Sequence, residues 1–227
     1  MDGMFESTAS SIDRAVQARA MLAHPFYRAW TAGELSLEAL RIYAQQYFHH
    51  VEAFPRAVSA VHSNCPDQDG RWMLAENLAE EEGLGQGKDD HASLWLAFAE
   101  GLGAREQDVR AAVLQPETQA LIDTFRRLSR RSYAAGLGAL YAYESQLPDV
   151  AATKIDGLER FYGVTEERTI RFFAVHQTAD VEHAAVCRDL LNRLPAGERE
   201  EAVAAGAELA AALCGFLDGM ERVRAAA

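Results

Sequence analysis

From Phe172 to Leu190, core-type positions recur every three or four residues, and His176, Asp180 and His183 occupy three of them alongside Phe172, Phe173, Cys187 and Leu190. Steps of three and four return to nearly the same face of an α-helix, so one stripe carries both hydrophobes and ionisable groups. An unpaired carboxylate on such a stripe costs several kcal/mol to bury. It needs a proton, a cation or a metal for company.

The same spacing runs through most of the chain, Pro occurs only six times, and strand-like alternation is nearly absent. That pattern predicts an all-α fold in a single domain over 1–227, with about seven to eight helices. We place them near 8–22, 36–64, 67–82, 90–101, 105–113, 117–160, 165–193 and 197–224, with His24 to Tyr27 as a link between the first two. Gly83, Gly85 and Gly87 interrupt the third helix, Gly101 and Gly103 close the fourth, and Pro148 kinks or divides the long 117–160 segment. Gly163 ends that segment, and Thr165 is the expected cap of the next helix. The alanine-rich stretch after Ala202 reads equally as a packing helix or a frayed end.

A net charge of -12 and a pI near 5.0 argue against nucleic acid or an anionic membrane as partner, since both are negative. Met1 to Ser11 lacks a basic and apolar leader, and no apolar run approaches the ~18 residues of a membrane span. Cys65, Cys187 and Cys214 show no CxxC spacing, which disfavours a disulfide framework or a zinc knuckle and fits a cytoplasmic protein. Of the 22 basic residues, only Lys88 and Lys154 are lysines.

His176, Asp180 and His183 spell H-x3-D-x2-H, whose D-x-x-H part has the i, i+3 geometry of the Glu-x-x-His pairs in di-iron helical bundles. A self-satisfied His–Asp–His cluster accounts for this one helix equally well. Further donors stand on other stripes: Glu144 follows Leu137, Leu140 and Tyr141, and Glu81 follows Leu74 and Leu78, with the adjacent Glu82 a competitor. His91 lies ten residues beyond Glu81 and joins it only if the glycines between them reset the chain direction. Three carboxylates (Glu81, Glu144, Asp180) and three imidazoles (His91, His176, His183) suit two divalent first-row ions, iron or manganese, and with them dioxygen as oxidant.

Several segments carry a family likeness. Tyr43-Ala-Gln-Gln-Tyr47-Phe-His-His50-Val-Glu-Ala-Phe-Pro55, Glu76-Asn-Leu-Ala-Glu-Glu-Glu82, Trp95 to Gly103, Tyr143-Glu144-Ser-Gln and His176 to His183 occur in order within about residues 20 to 193. The chain resembles the family of CADD, the chlamydial protein associating with death domains. The resemblance implies the haem-oxygenase-like helical bundle shared with the TenA and PqqC groups, a di-metal site, and synthesis of p-aminobenzoate for folate. It also implies self-sacrifice, in which the ring comes from a tyrosine of the protein and the nitrogen from a lysine; Tyr27 and Lys154 match those positions. The chain departs from the family pattern in a longer Glu81-to-His91 interval and in Phe172, where a tyrosine is expected. Nothing supports carrying over death-domain binding.

Lys154 also shares an apolar stripe with Leu147, Ala151 and Leu158, and burial would favour its neutral, nucleophilic form. Tyr43, Tyr47, His50, Tyr141 and Tyr143 are candidates to line a pocket or relay an electron, with core packing the ordinary alternative. The external reductant is unspecified, and a homodimer is expected by fold-level analogy. Three other functions compete: a TenA-like hydrolase with a cysteine nucleophile, a PqqC-like metal-free oxidase, and a non-catalytic metal-binding interaction protein.

Overall fold

The computed structural model describes residues 7–85 and 88–226, and the expectations for Met1 to Glu6 and for Gly87 lie outside these residues. Eleven α-helices follow in order: α1 (Thr8–Gln17), α2 (Pro25–Ala32), α3 (Leu37–Asn64), α4 (Gln68–Glu81), α5 (His91–Gly101), α6 (Glu106–Arg110), α7 (Pro116–Arg131), α8 (Tyr133–Glu144), α9 (Leu147–Tyr162), α10 (Glu167–Arg193) and α11 (Arg199–Ala226). No strand occurs among the described residues, so the all-α expectation holds.

The differences from the sequence reading have local causes. The segment His24 to Tyr27, read as a link, instead caps and opens α2, because Pro25 sits in the first turn and the His24 side chain accepts the Phe26 amide. The 117–160 segment is three helices. Ser132 turns extended, and its hydroxyl accepts the Ala135 amide at 3.1 Å, starting α8 where an unbroken helix was expected. The second break falls at Ser145 and Gln146, with Pro148 in the first turn of α9. Gly163 ends α9 in the left-handed region, but Glu166 rather than Thr165 precedes α10, and it offers no side-chain cap.

One continuous set of buried hydrophobics runs from Ala9 on α1 to Met220 on α11. α8 lies at its centre, with every residue from Ala134 to Glu144 buried. It can sit there because Gly138 lets it press against α11: a Cβ at that position would fall 2.1 Å from the Ala202 carbonyl oxygen. α11 is therefore a packing helix, which settles the status of the alanine-rich stretch. It also corrects the expectation about apolar runs, since Ala196–Ala225 is long and apolar enough to cross a membrane, yet half of its 18-residue apolar window is buried in the protein. α10 packs on α5, α8 and α9, which brings its polar stripe to the middle of the bundle.

Candidate metal centre

Glu81 is the last residue of α4, and Gly83 just beyond it has φ +65°. A Cβ on Gly83 would lie 2.5 Å from the Asp90 amide nitrogen, so only glycine permits the tight return. Asp90 then caps α5 by accepting the Ser93 amide at 2.8 Å, and His91 opens that helix. The reset places His91 Nδ1 2.8 Å from Glu81 Oε2. Glu82 is exposed, so of the two neighbouring acids Glu81 is the one that faces His91.

All six predicted donors are buried, none more than 7% exposed. One donor atom each from Glu81, His91 and His176 lies within 4.8 Å of the others. His176 Nδ1 donates to the Phe172 carbonyl at 2.6 Å, which leaves the Nε2 lone pair free for an ion. The Phe172 ring stacks on His176 at 4.0 Å, so the residue standing at the expected tyrosine position orients a donor by packing.

The other three donors lie alongside. Glu144 Oε1 accepts from Asn77 at 2.7 Å, and its Oε2 accepts from the Cys187 thiol at 3.2 Å. His183 Nδ1 lies 3.6 Å from Asp180 Oδ1, while its Nε2 meets Glu80 Oε2 at 3.0 Å; Glu80 in turn holds Lys88. Sequence reading missed Asn77 as a partner of this centre. The signal was present, since Asn77 sits four residues before Glu81 and three after Leu74, on the same stripe.

Burial and mutual repulsion raise the carboxyl of Asp180, and burial raises that of Glu144. Burial opposes protonation of His183 and His91, but the carboxylates around them outweigh it and hold both above the ordinary histidine range. Burial holds His176 well below that range, and the nearby His91 adds to the effect. Three acids and three imidazoles in one dry space thus require positive charge. Several of their atoms also lack hydrogen-bond partners: Asp180 Oδ2 and His183 Nδ1 are buried and unsatisfied, and His91 Nδ1, though close to Glu81, is not aligned to hydrogen-bond with it. Convergent nitrogen and oxygen donors with free lone pairs, braced by Asn77, Cys187 and a backbone carbonyl, fit first-row metal ions.

Next to this cluster lies a box of aromatic rings. The Lys154 side chain is 3% exposed, and its Nζ points among the rings of Phe173, Tyr43, Tyr47, Trp95 and Tyr27 at 5.0, 5.1, 5.3, 5.5 and 5.7 Å from their centroids. No carboxylate pairs with it among the described residues, and burial pushes its pKa down to about 7. The Trp30 indole donates to the Lys154 carbonyl at 3.3 Å and fixes α9 against α2. Tyr27 OH meets Tyr43 OH at 3.4 Å, Tyr43 stacks on Tyr47 at 5.6 Å, and Tyr47 OH meets Tyr143 OH at 3.0 Å. Tyr143 precedes Glu144, and the negative charge of Asp180 and Glu81 reaches it, so this line of phenols ends beside the donor cluster. His50 packs on Tyr47 and Tyr143.

Tyr141 is elsewhere. Its hydroxyl donates to Asp13 at 2.7 Å and accepts from Arg188 at 2.8 Å, tying α8 to α1 and α10 away from the box. Cys187 is no nucleophile, because it is fully buried, donates to Glu144, and is held well above the usual thiol range by burial and that carboxylate.

The pattern of iron-containing redox enzymes matches residues 41–215. The chain is 42% identical over 221 residues to a 4-aminobenzoate synthase of Nitrosomonas europaea, covering 92% of this chain and 89% of that one. It is 37% identical over 216 residues to a 4-aminobenzoate synthase of Chlamydia trachomatis serovar D, covering 95% and 92%. Among solved structures, a CADD-like protein of unknown function from Nostoc punctiforme superposes with a TM-score of 0.79 at 20% identity, over 96% of this chain and 98% of that one, a likeness of fold. The chain therefore belongs to the family of iron-containing redox enzymes that includes the 4-aminobenzoate synthases.

Proposed function

We propose that this protein makes 4-aminobenzoate from its own Tyr27, with Lys154 as amino donor, at a centre where Glu81, His91, Glu144, His176, Asp180 and His183 hold two iron or manganese ions. The observation that carries this reading is Lys154, a buried amine without a counter-ion whose Nζ lies 5.7 Å from the Tyr27 ring centroid. Bound metal would supply the oxidising power of dioxygen. Everything else falls to the chain itself.

An amine with a pKa near 7 is largely neutral at slightly alkaline pH and keeps a free lone pair, which a nitrogen donor requires. Five aromatic ring centroids lie 5.0 to 5.7 Å from Nζ and the residue is 3% exposed, so the amine is held beside the ring. Tyr27 is buried and hydrogen-bonded to Tyr43, and its phenol is held protonated by burial at any ordinary pH. Loss of an electron from this ring would have to be matched by loss of the phenolic proton, and the ring's hydroxyl has its hydrogen-bond partner in Tyr43. The Tyr43, Tyr47 and Tyr143 phenols line the way between Tyr27 and the donor cluster, with a stack and a hydrogen bond at the joints. Turning a tyrosine side chain into 4-aminobenzoate exchanges the para oxygen for nitrogen, breaks the Cα–Cβ bond and oxidises the benzylic carbon to a carboxylate, with dioxygen as the oxidant. Both ends of the ring therefore need partners, which a side chain enclosed on all faces can have.

The test is aerobic turnover of the metal-loaded protein carrying ring-labelled tyrosine and 15N-lysine. The reading requires 4-aminobenzoate with both labels and a chain whose mass change maps to Tyr27 and Lys154. Unlabelled product made from an added substrate, with both residues intact, contradicts it.

A further inference from the structure

On the outer side of His50, between α3 and α7, lies a second cavity of about 200 Å³ that belongs to neither the donor cluster nor the lysine box. Its floor is apolar: Phe54 and Phe125 meet edge to face at 5.5 Å, and His50 lies 5.9 Å from Phe125. Its rim is cationic, with Arg56, Arg126 and Arg130. Arg126 is paired with Asp123, and Arg56 donates to the Glu52 carbonyl. Arg130 has no hydrogen-bond or ion-pair partner among the described residues. At the deep end His50 is 1% exposed, and neither ring nitrogen has a partner. Buried polar groups are ordinarily hydrogen-bonded, so an imidazole with both nitrogens unmet calls for a partner from outside the chain.

We propose that this cavity binds a benzoate with a hydrogen-bonding group at the para position, its carboxylate on the arginine rim and its para substituent on His50. The ring would lie against Phe54 and Phe125. A volume well below the roughly 300–1,000 Å³ of pockets for drug-sized ligands limits the occupant to one ring. Burial holds His50 neutral, so it offers one donor and one acceptor, and either an amino or a hydroxyl group meets it. A carboxylate finds its natural partner in Arg130, which presents a free guanidinium fork. The proposal leans on the 4-aminobenzoate reading only for the choice of probe, because the cavity's chemistry is independent of the metal centre.

Calorimetric titration of the purified full chain with 4-aminobenzoate, 4-hydroxybenzoate, benzoate, aniline and inorganic phosphate tests it. The two para-substituted acids should bind, benzoate about tenfold more weakly, and aniline and phosphate not measurably. Arg130→Gln, a surface change that leaves the core intact, should weaken both acids about tenfold, and His50→Phe should remove the preference for a para substituent over plain benzoate. Phosphate binding as well as the acids do, or affinities untouched by Arg130→Gln, overturns the proposal. A complete absence of binding overturns it too, while leaving the labelled-product experiment free to succeed.

Discussion

The interior holds two polar regions side by side that treat charge in opposite ways. Around His176 and Asp180, three carboxylates and three imidazoles crowd together with orphaned lone pairs, and the space favours added cations. Around Lys154, five aromatic rings and, among the described residues, no paired acid surround a single amine, and the space favours losing a cation. Burial alone cannot explain the contrast, since both regions are equally dry. The difference lies in the neighbours, because carboxylates stabilise positive charge at close range, whereas ring faces contribute only about 0.5–2 kcal/mol and cannot offset the desolvation of an ammonium.

The sharpest way to break this division of labour is to remove one side and watch the other. Lys154→Met and Tyr27→Phe should each abolish 4-aminobenzoate formation, a loss of at least a hundredfold by mass spectrometry, with metal content unchanged. A loss of metal from either variant would mean that the two regions are one site.

Chelation should come next in size. If cations neutralise the crowded acids, stripping them lowers the melting temperature at neutral pH. Asp180→Asn, which removes one repelling carboxylate, should then make the stripped protein more stable than the stripped wild type, as read by calorimetry. A stripped Asp180→Asn that melts lower means the acids are satisfied without metal.

Much of this partition is legible in the sequence. Glu144 and the residues at 176, 180 and 183 betray themselves because charged groups on an apolar stripe have to converge on something. His91 is harder, since ten intervening residues give no phase, and the fold recovers it only through the left-handed Gly83. Tyr141 misleads for a related reason: a helix buried at every position presents polar groups in all directions, and periodicity cannot say which interior space a hydroxyl reaches. The break at Ser132 is equally silent, because Arg130-Arg131-Ser132 continues a helical pattern until the serine hydroxyl takes the Ala135 amide. Asn77, which donates to Glu144, stood inside the stripe of Leu74, Leu78 and Glu81, whereas Glu80, which meets His183, lies beside it.

A smaller effect concerns pH. The amine of Lys154 ionises near 10.5 when exposed and near 7 in the fold, so between these values the unfolded chain carries a proton that the folded one lacks. Stability contributed at this position therefore rises as pH goes from about 7 to about 10.5. The wild type should gain on Lys154→Met across that window in denaturant titrations, and parallel curves would show that the amine is charged in the fold. Turnover should correspondingly fall as pH drops below about 7.

The smallest expected effect is that of Tyr141→Phe. Losing the link to Asp13 and Arg188 should cost about 1 kcal/mol of stability and leave 4-aminobenzoate formation intact, since this hydroxyl serves packing between helices. A large loss of product would bring Tyr141 back into the chemistry.

Metal content per chain, measured on wild type, Glu144→Gln and His176→Ala purified under identical conditions, bears most directly on the account. It predicts close to two iron or manganese ions in the wild type and a clear loss in both variants, with helix content retained. Full metal occupancy in the two variants, or none in the wild type after loading, would contradict it.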